Sequence, residues 1–127
     1  MNNWQHLLII AIGGGIGSVS RYLTSQWLAQ RLGPFFPYGT LAVNVIGCFI
    51  IGLFMTFATE RFIINPLWRL LITVGFLGGL TTFSSFSYET IKMLEEAEYL
   101  LVLANVSLNC LIGFSATWAG MLVARSL

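Results

Sequence analysis

The sequence predicts an all-α membrane protein with four transmembrane helices, the third of them broken. Three observations carry this. The chain of 127 residues is 57% apolar and only 9% charged, against about 25% charged residues in a soluble domain, and its mean hydropathy is +0.83. The apolar residues gather near positions 7–28, 39–59, 70–88 and 99–124, each stretch close to the roughly 20 residues that cross a hydrocarbon core. The third stretch is interrupted by Gly78-Gly79-Leu80-Thr81-Thr82-Phe83-Ser84-Ser85-Phe86-Ser87. Irregular backbone at membrane depth survives only where protein buries it or water reaches it, so a break there points to an ion or substrate site. The four spans use the length, and a single transmembrane domain over residues 1–127 is expected.

The first span carries Gly13 and Gly17, a small-xxx-small face that lets another helix approach closely. It has no basic leader or small-residue cleavage site and reads as a retained span. The run Gly13-Gly-Gly-Ile-Gly17 lacks the spacing and the preceding strand of a dinucleotide loop. Arg21 falls well inside this span. A charge there either snorkels to a headgroup or lines a wet vestibule that draws in anions. Gly33, Pro34 and Pro37 end the helix, and the aromatics between them suit the interface.

The second span is uncharged, and its notable residue is Asn44. A primary amide in a membrane needs partners. It serves either as glue between helices or as a source of N–H donors for a passing anion. Asn65-Pro66 marks the next turn, beside interfacial Trp68 and Arg69. In the third span Phe83 and Phe86 lie on one helix face. They read either as packing or as ring edges for an anion, since the edge of an aromatic ring is positive. Thr82, Ser84, Ser85 and Ser87 add hydroxyls beside them. Neutral donors suit an ion that must also leave. An unwound turn at Gly78–Thr81 exposes carbonyl oxygens instead, which favour a hard cation such as Na⁺. Glu89, Lys92, Glu95, Glu96 and Glu98 are expected in a solvated loop. The fourth span places Asn105, Asn109, Gly113 and Thr117 four apart, on one face. That polar stripe is either packing glue or a conduit wall. Cys48 and Cys110 fall inside spans and are expected as free core thiols rather than a disulfide.

Arg61, Arg69 and Arg125 fall on one predicted side of the membrane, and Arg31 and Lys92 on the other. Orientation follows the Lys and Arg count. So small a difference either orients nothing or lets the chain insert both ways up, as an antiparallel dimer requires.

The stretches Gly13–Tyr22, Gly39–Gly47, Gly75–Ser87 and Asn105–Asn109 together resemble the Fluc/CrcB family of fluoride channels, across essentially the whole chain. The resemblance implies an antiparallel, dual-topology homodimer with two fluoride pores and a central structural sodium ion. It implies that the backbone carbonyls of Gly78 and Thr81 hold the sodium ion, and that Asn44, Phe83 and Phe86 line the pore. It further implies that Ser84 and Ser85 form a hydroxyl track, that Arg21 is the vestibule cation, and that Asn105 and Asn109 are part of the pore wall. The expected partners are fluoride, a second copy of the chain and the lipid bilayer, with no nucleic acid. The expected location is the cell inner membrane, as a multi-pass protein, and no enzymatic activity is expected. The rival reading is a small dual-topology multidrug-type exporter. Its chemistry needs a carboxylate within the membrane, and only Glu89, placed at the end of the third span, comes near one.

Overall fold

A computed structural model describes residues 3–127. Four helical rods, each long and apolar enough to cross a membrane, account for nearly all of them. Helix α1 is Asn3–Leu32 and α2 is Tyr38–Arg61. The third rod is divided into α3, residues 66–80, and α4, Phe83–Glu95. Helix α5 is Tyr99–Ser126. All four rods run past the predicted limits at one or both ends. Polar residues such as Asn3, Glu60 and Ser126 still satisfy their backbones inside the helix.

The connections follow local chemistry. Gly33 takes φ +90°, a left-handed conformation that glycine adopts without steric cost, and its N–H donates to the Ala29 carbonyl at 3.0 Å. Asn65 caps α3 by accepting from the Leu67 N–H at 2.9 Å, with Pro66 at the first helical position. The acidic run expected as a loop is helical as far as Glu95. Only Glu96–Glu98 turn the chain, through a two-bond cap in which Glu98 N–H reaches the Met93 carbonyl (2.9 Å) and Ala97 N–H the Leu94 carbonyl (3.1 Å). This cap puts Ala97 at φ 58°. A Cβ in that region costs energy that glycine does not incur, so Ala97→Gly is expected to raise stability by about 1 kcal/mol. Thermal unfolding of the two proteins in the same detergent measures this.

Helix α2 is central. It packs against α5 on one side and α1 on the other, while α1 also lies along α3. These contacts are close because glycines stand at the crossings. A Cβ on Gly17 would run into the Phe76 carbonyl of α3, and one on Gly120 of α5 would run into the Phe49 carbonyl of α2. In lipid, where apolar surface gains nothing by leaving the solvent, such backbone approach is the main source of helix association. The small core of Val43, Leu77 and Leu80 sits where α2 meets α3. Most other large apolar side chains, Trp27, Trp68 and Trp118 among them, point outward, as a bilayer-facing surface requires. Wider turns at Phe57–Arg61, Leu70–Leu77 and Leu108–Ile112 interrupt the regular helices. At the ends of α2 and α5, Arg125 forms a two-point ion pair with Glu60, at 3.1 and 3.2 Å.

Candidate functional site

The third rod is broken, but not at its glycines. Gly78 and Gly79 remain in the last turn of α3. The chain becomes extended at Thr81 (φ −83°, ψ 154°) and Thr82 (φ −150°, ψ 116°). Two β-branched residues suit this geometry. The Thr81 N–H and hydroxyl both donate to the Leu77 carbonyl, at 3.0 and 2.8 Å. The Thr82 hydroxyl caps α4 by accepting from the Ser85 N–H at 3.1 Å.

Asn44 of α2 holds the break open. Its Oδ1 accepts from the Thr82 N–H at 2.8 Å, and its Nδ2 donates to the Thr82 carbonyl at 3.2 Å. The second Nδ2 hydrogen goes to Oδ1 of Asn109 at 3.1 Å. The amide therefore grips both polar groups of one peptide residue. This joins the two readings of Asn44, because the glue is applied to the break itself.

These bonds decide which backbone carbonyls are set free. In an unbroken helix the Gly78 carbonyl would accept from the Thr82 N–H, and the Thr81 carbonyl from the Ser85 N–H. The first donor is held by Asn44 and the second by Thr82 Oγ1. The Gly79 carbonyl between them accepts from Arg21 Nε at 3.1 Å. Arg21, half-buried on α1, thus places its charge against the negative end of α3. The sequence alone leaves Arg21 between snorkelling and a vestibule, because its acceptor lies 58 positions away in the chain.

The break sets the carbonyl end of α3 beside the N-terminal end of α4, so a region suited to a cation adjoins one suited to an anion. Ser84 and Ser85 lie in the first turn of α4, with the Ser84 hydroxyl 3.5 Å from that of Thr82. Phe83 and Phe86 meet edge to face, with centroids 5.7 Å apart and planes at 64°. A groove of about 510 Å³ brings Asn44, Gly78, Thr81, Phe83, Phe86 and Asn109 to one surface. Cys48 and Cys110 line it as free thiols. Asn105 is fully buried behind the groove. Among the described residues no three His, Cys, Asp or Glu side chains come together. A cation here would depend on carbonyl oxygens.

One residue was underrated from sequence. Glu89 is half-buried on α4 within the third rod, with Oε1 buried and unpartnered among the described residues. Its three-residue spacing from Phe86 put it on the same helix face, a signal hidden by the charge run that follows. A carboxylate does therefore stand inside the third rod, and its supposed absence no longer argues against the exporter.

Comparison with known proteins decides between the two. Residues 8–121 match the family model described as CrcB-like protein, Camphor Resistance (CrcB). The chain is 52% identical over 118 residues to the fluoride-specific ion channel FluC of Solibacter usitatus (strain Ellin6076), a match covering 93% of this chain and 97% of that one. It is 51% identical over 125 residues to the protein of the same name from Geobacter sulfurreducens (strain ATCC 51573 / DSM 12127 / PCA), covering 95% and 98%. The corresponding protein of Geotalea uraniireducens (strain Rf4) is 47% identical over 123 residues, covering 97% and 99%. With four membrane-crossing helices, a broken third rod and matches of this extent, the chain is a multi-pass membrane protein that belongs to the CrcB family.

Proposed function

We propose that this chain forms a fluoride-specific channel that lets the ion leave the cell passively, without catalysis. The observation that carries the reading is the convergence of Asn44, Phe83 and Phe86 on one groove at the broken helix, in a chain about half identical to proteins named fluoride-specific ion channels. Fluoride is small and strongly hydrated. Positive ring edges and the Ser84 and Ser85 hydroxyls can replace its water without the tight grip of a buried cation, while Asn44, whose amide hydrogens are committed to Thr82 and Asn109, holds the break beside them. Arg21, held at the Gly79 carbonyl, serves as the vestibule charge that raises local anion concentration.

The working unit in this proposal is an antiparallel homodimer in the inner membrane, with two pores and a structural sodium ion. The freed carbonyls of Gly78 and Thr81 support the sodium site. One protomer offers two oxygens on an open groove, and a second copy about a twofold axis brings four neutral oxygens together, a set suited to a monovalent hard cation. Without an ion, those carbonyls would repel across the axis. The near balance of Lys and Arg across the predicted membrane sides supports insertion in both orientations.

Purified protein in liposomes loaded with potassium fluoride tests the function. Addition of a K⁺ ionophore is expected to release fluoride rapidly, and chloride-loaded vesicles are expected to retain their ion. Equal release of the two anions would end the claim of selectivity. Topology is tested separately by a reporter fused after Leu127. It should be found on both sides of the membrane, and two added lysines should shift it to one. A single orientation in the unmodified chain would rule out the antiparallel dimer.

A further inference from the structure

We propose that Thr90, Asn105 and Asn109 are positioning residues for conduction, forming with Asn44 one directed chain of hydrogen bonds that ties the Thr82 break to the backbone of Phe86. This rests on the reading of the protein as a fluoride channel and adds to it the means by which the pore residues keep their relation. The chain can be followed link by link. Thr82 N–H donates to Asn44 Oδ1 at 2.8 Å. Asn44 Nδ2 donates to Asn109 Oδ1 at 3.1 Å. Asn109 Nδ2 donates to Asn105 Oδ1 at 3.0 Å and to the Asn105 carbonyl at 2.9 Å. Asn105 Nδ2 donates to Thr90 Oγ1 at 2.9 Å, and the Thr90 hydroxyl donates to the Phe86 carbonyl at 2.7 Å.

The two ends determine everything between them. A backbone N–H can only donate and a carbonyl can only accept. With Thr82 N–H at one end and the Phe86 carbonyl at the other, each amide has one orientation that leaves no mismatch. Turning any of the three would set oxygen against oxygen or N–H against N–H, inside a membrane where water cannot repair the fault. Asn105 is 0% exposed, so the middle of the chain is sealed. The fourth-span stripe is therefore not itself the donor set for the ion. The Asn109 amide hydrogens are both committed to Asn105, and those of Asn44 to Thr82 and Asn109, so Asn109 acts through Asn44 on the break beside the pore phenylalanines. Asn109 also lies in the widened turn Leu108–Ile112, where a helix departs from regular spacing to aim a side chain.

Fluoride efflux per reconstituted protein is the readout, with the unmodified chain measured first. If that chain does not conduct, the channel reading fails. If it conducts, the variants test the positioning chain. Asn109→Ala is expected to lower flux about tenfold, the size of the one hydrogen bond it makes to Asn44. On an Asn44→Ala background the same change should cost less than about twofold, since its route to the ion is already gone. Equal losses on both backgrounds would overturn the proposal. Thr90 supplies a pair that is gentle on folding. Thr90→Val keeps the shape and removes the hydroxyl, whereas Thr90→Ser keeps the hydroxyl and removes a methyl. Flux should fall in the first and persist in the second. The reverse order, or no change in either, would make Thr90 a packing residue and break the proposed link to Phe86.

Discussion

Gly79→Val is expected to destabilise the protomer by at least about 1–3 kcal/mol, whereas Gly78→Ala leaves the protomer intact and weakens only its self-association. The two glycines are neighbours, yet their surroundings differ. A Cβ on Gly79 would meet the Gly14 carbonyl of α1, with Ser18 N at 3.0 Å and Gly14 C at 3.1 Å. These are backbone atoms that cannot turn aside. Overpacking of this kind costs at least 1–3 kcal/mol, roughly a quarter of the stability of a small domain. It would also pull the Gly79 carbonyl from Arg21. A Cβ on Gly78, by contrast, finds only the Thr73 carbonyl at 3.9 Å. Gly78 has helical torsions (φ −62°, ψ −36°) that any residue adopts. Within the protomer, alanine there should be neutral or gain about 1 kcal/mol in helix propensity. Nothing inside one chain requires glycine at 78. In the proposed dimer a methyl at 78 would stand beside the carbonyls assigned to the sodium ion and crowd the second copy. Thermal unfolding in detergent reports the protomer, and energy transfer between labelled chains in liposomes reports the dimer. Gly78→Ala chains that associate as well as the parent would remove this surface from the interface and the sodium site with it.

That contrast shows how far the sequence could be read. Four apolar stretches and a Gly/Thr/Ser interruption announced four spans and a break, because hydrophobic length and helix-breaking composition are local properties. The break was expected at Gly78–Thr81 and falls at Thr81–Thr82, since in a membrane glycine is used more for close approach than for unwinding. Gly79 remains helical and serves its contact with α1, while the threonines, which favour extended backbone, take the break. The grip of Asn44 on Thr82 and Asn109 joins residues 38 and 65 positions away in the chain. No spacing rule reaches that far without a structure. Arg21 was legible as a costly charge in a span, but its acceptor, the Gly79 carbonyl, becomes available only once the break has formed. Glu89 was lost for a different reason. The charged run after it resembled a loop, whereas the helix continues for six residues to Glu95. The widened turns leave no compositional trace and were not anticipated.

Phe83→Ile is expected to reduce fluoride flux by about tenfold while leaving the protomer's stability nearly unchanged. Phe83 is 78% exposed in the protomer, and substitutions at such positions usually alter stability by no more than about 0.5 kcal/mol. Its contact with the chain is the edge-to-face meeting with Phe86, at 5.7 Å between centroids. Isoleucine retains apolar bulk and loses the ring quadrupole. If the ion passes the positive edges, the loss equals one aromatic electrostatic contact, about 0.5–1.5 kcal/mol, and the upper part of that range corresponds to a factor near ten in rate. Phe86 is half-buried, so Phe86→Ile mixes this effect with packing and is the less decisive variant. Initial efflux rates normalised to reconstituted dimer separate the cases. A dimer that forms in lower yield but conducts normally per unit would assign Phe83 to packing between copies. A dimer that forms fully and conducts poorly places the ring edge in the path of the ion, next to the break that Asn44 holds open.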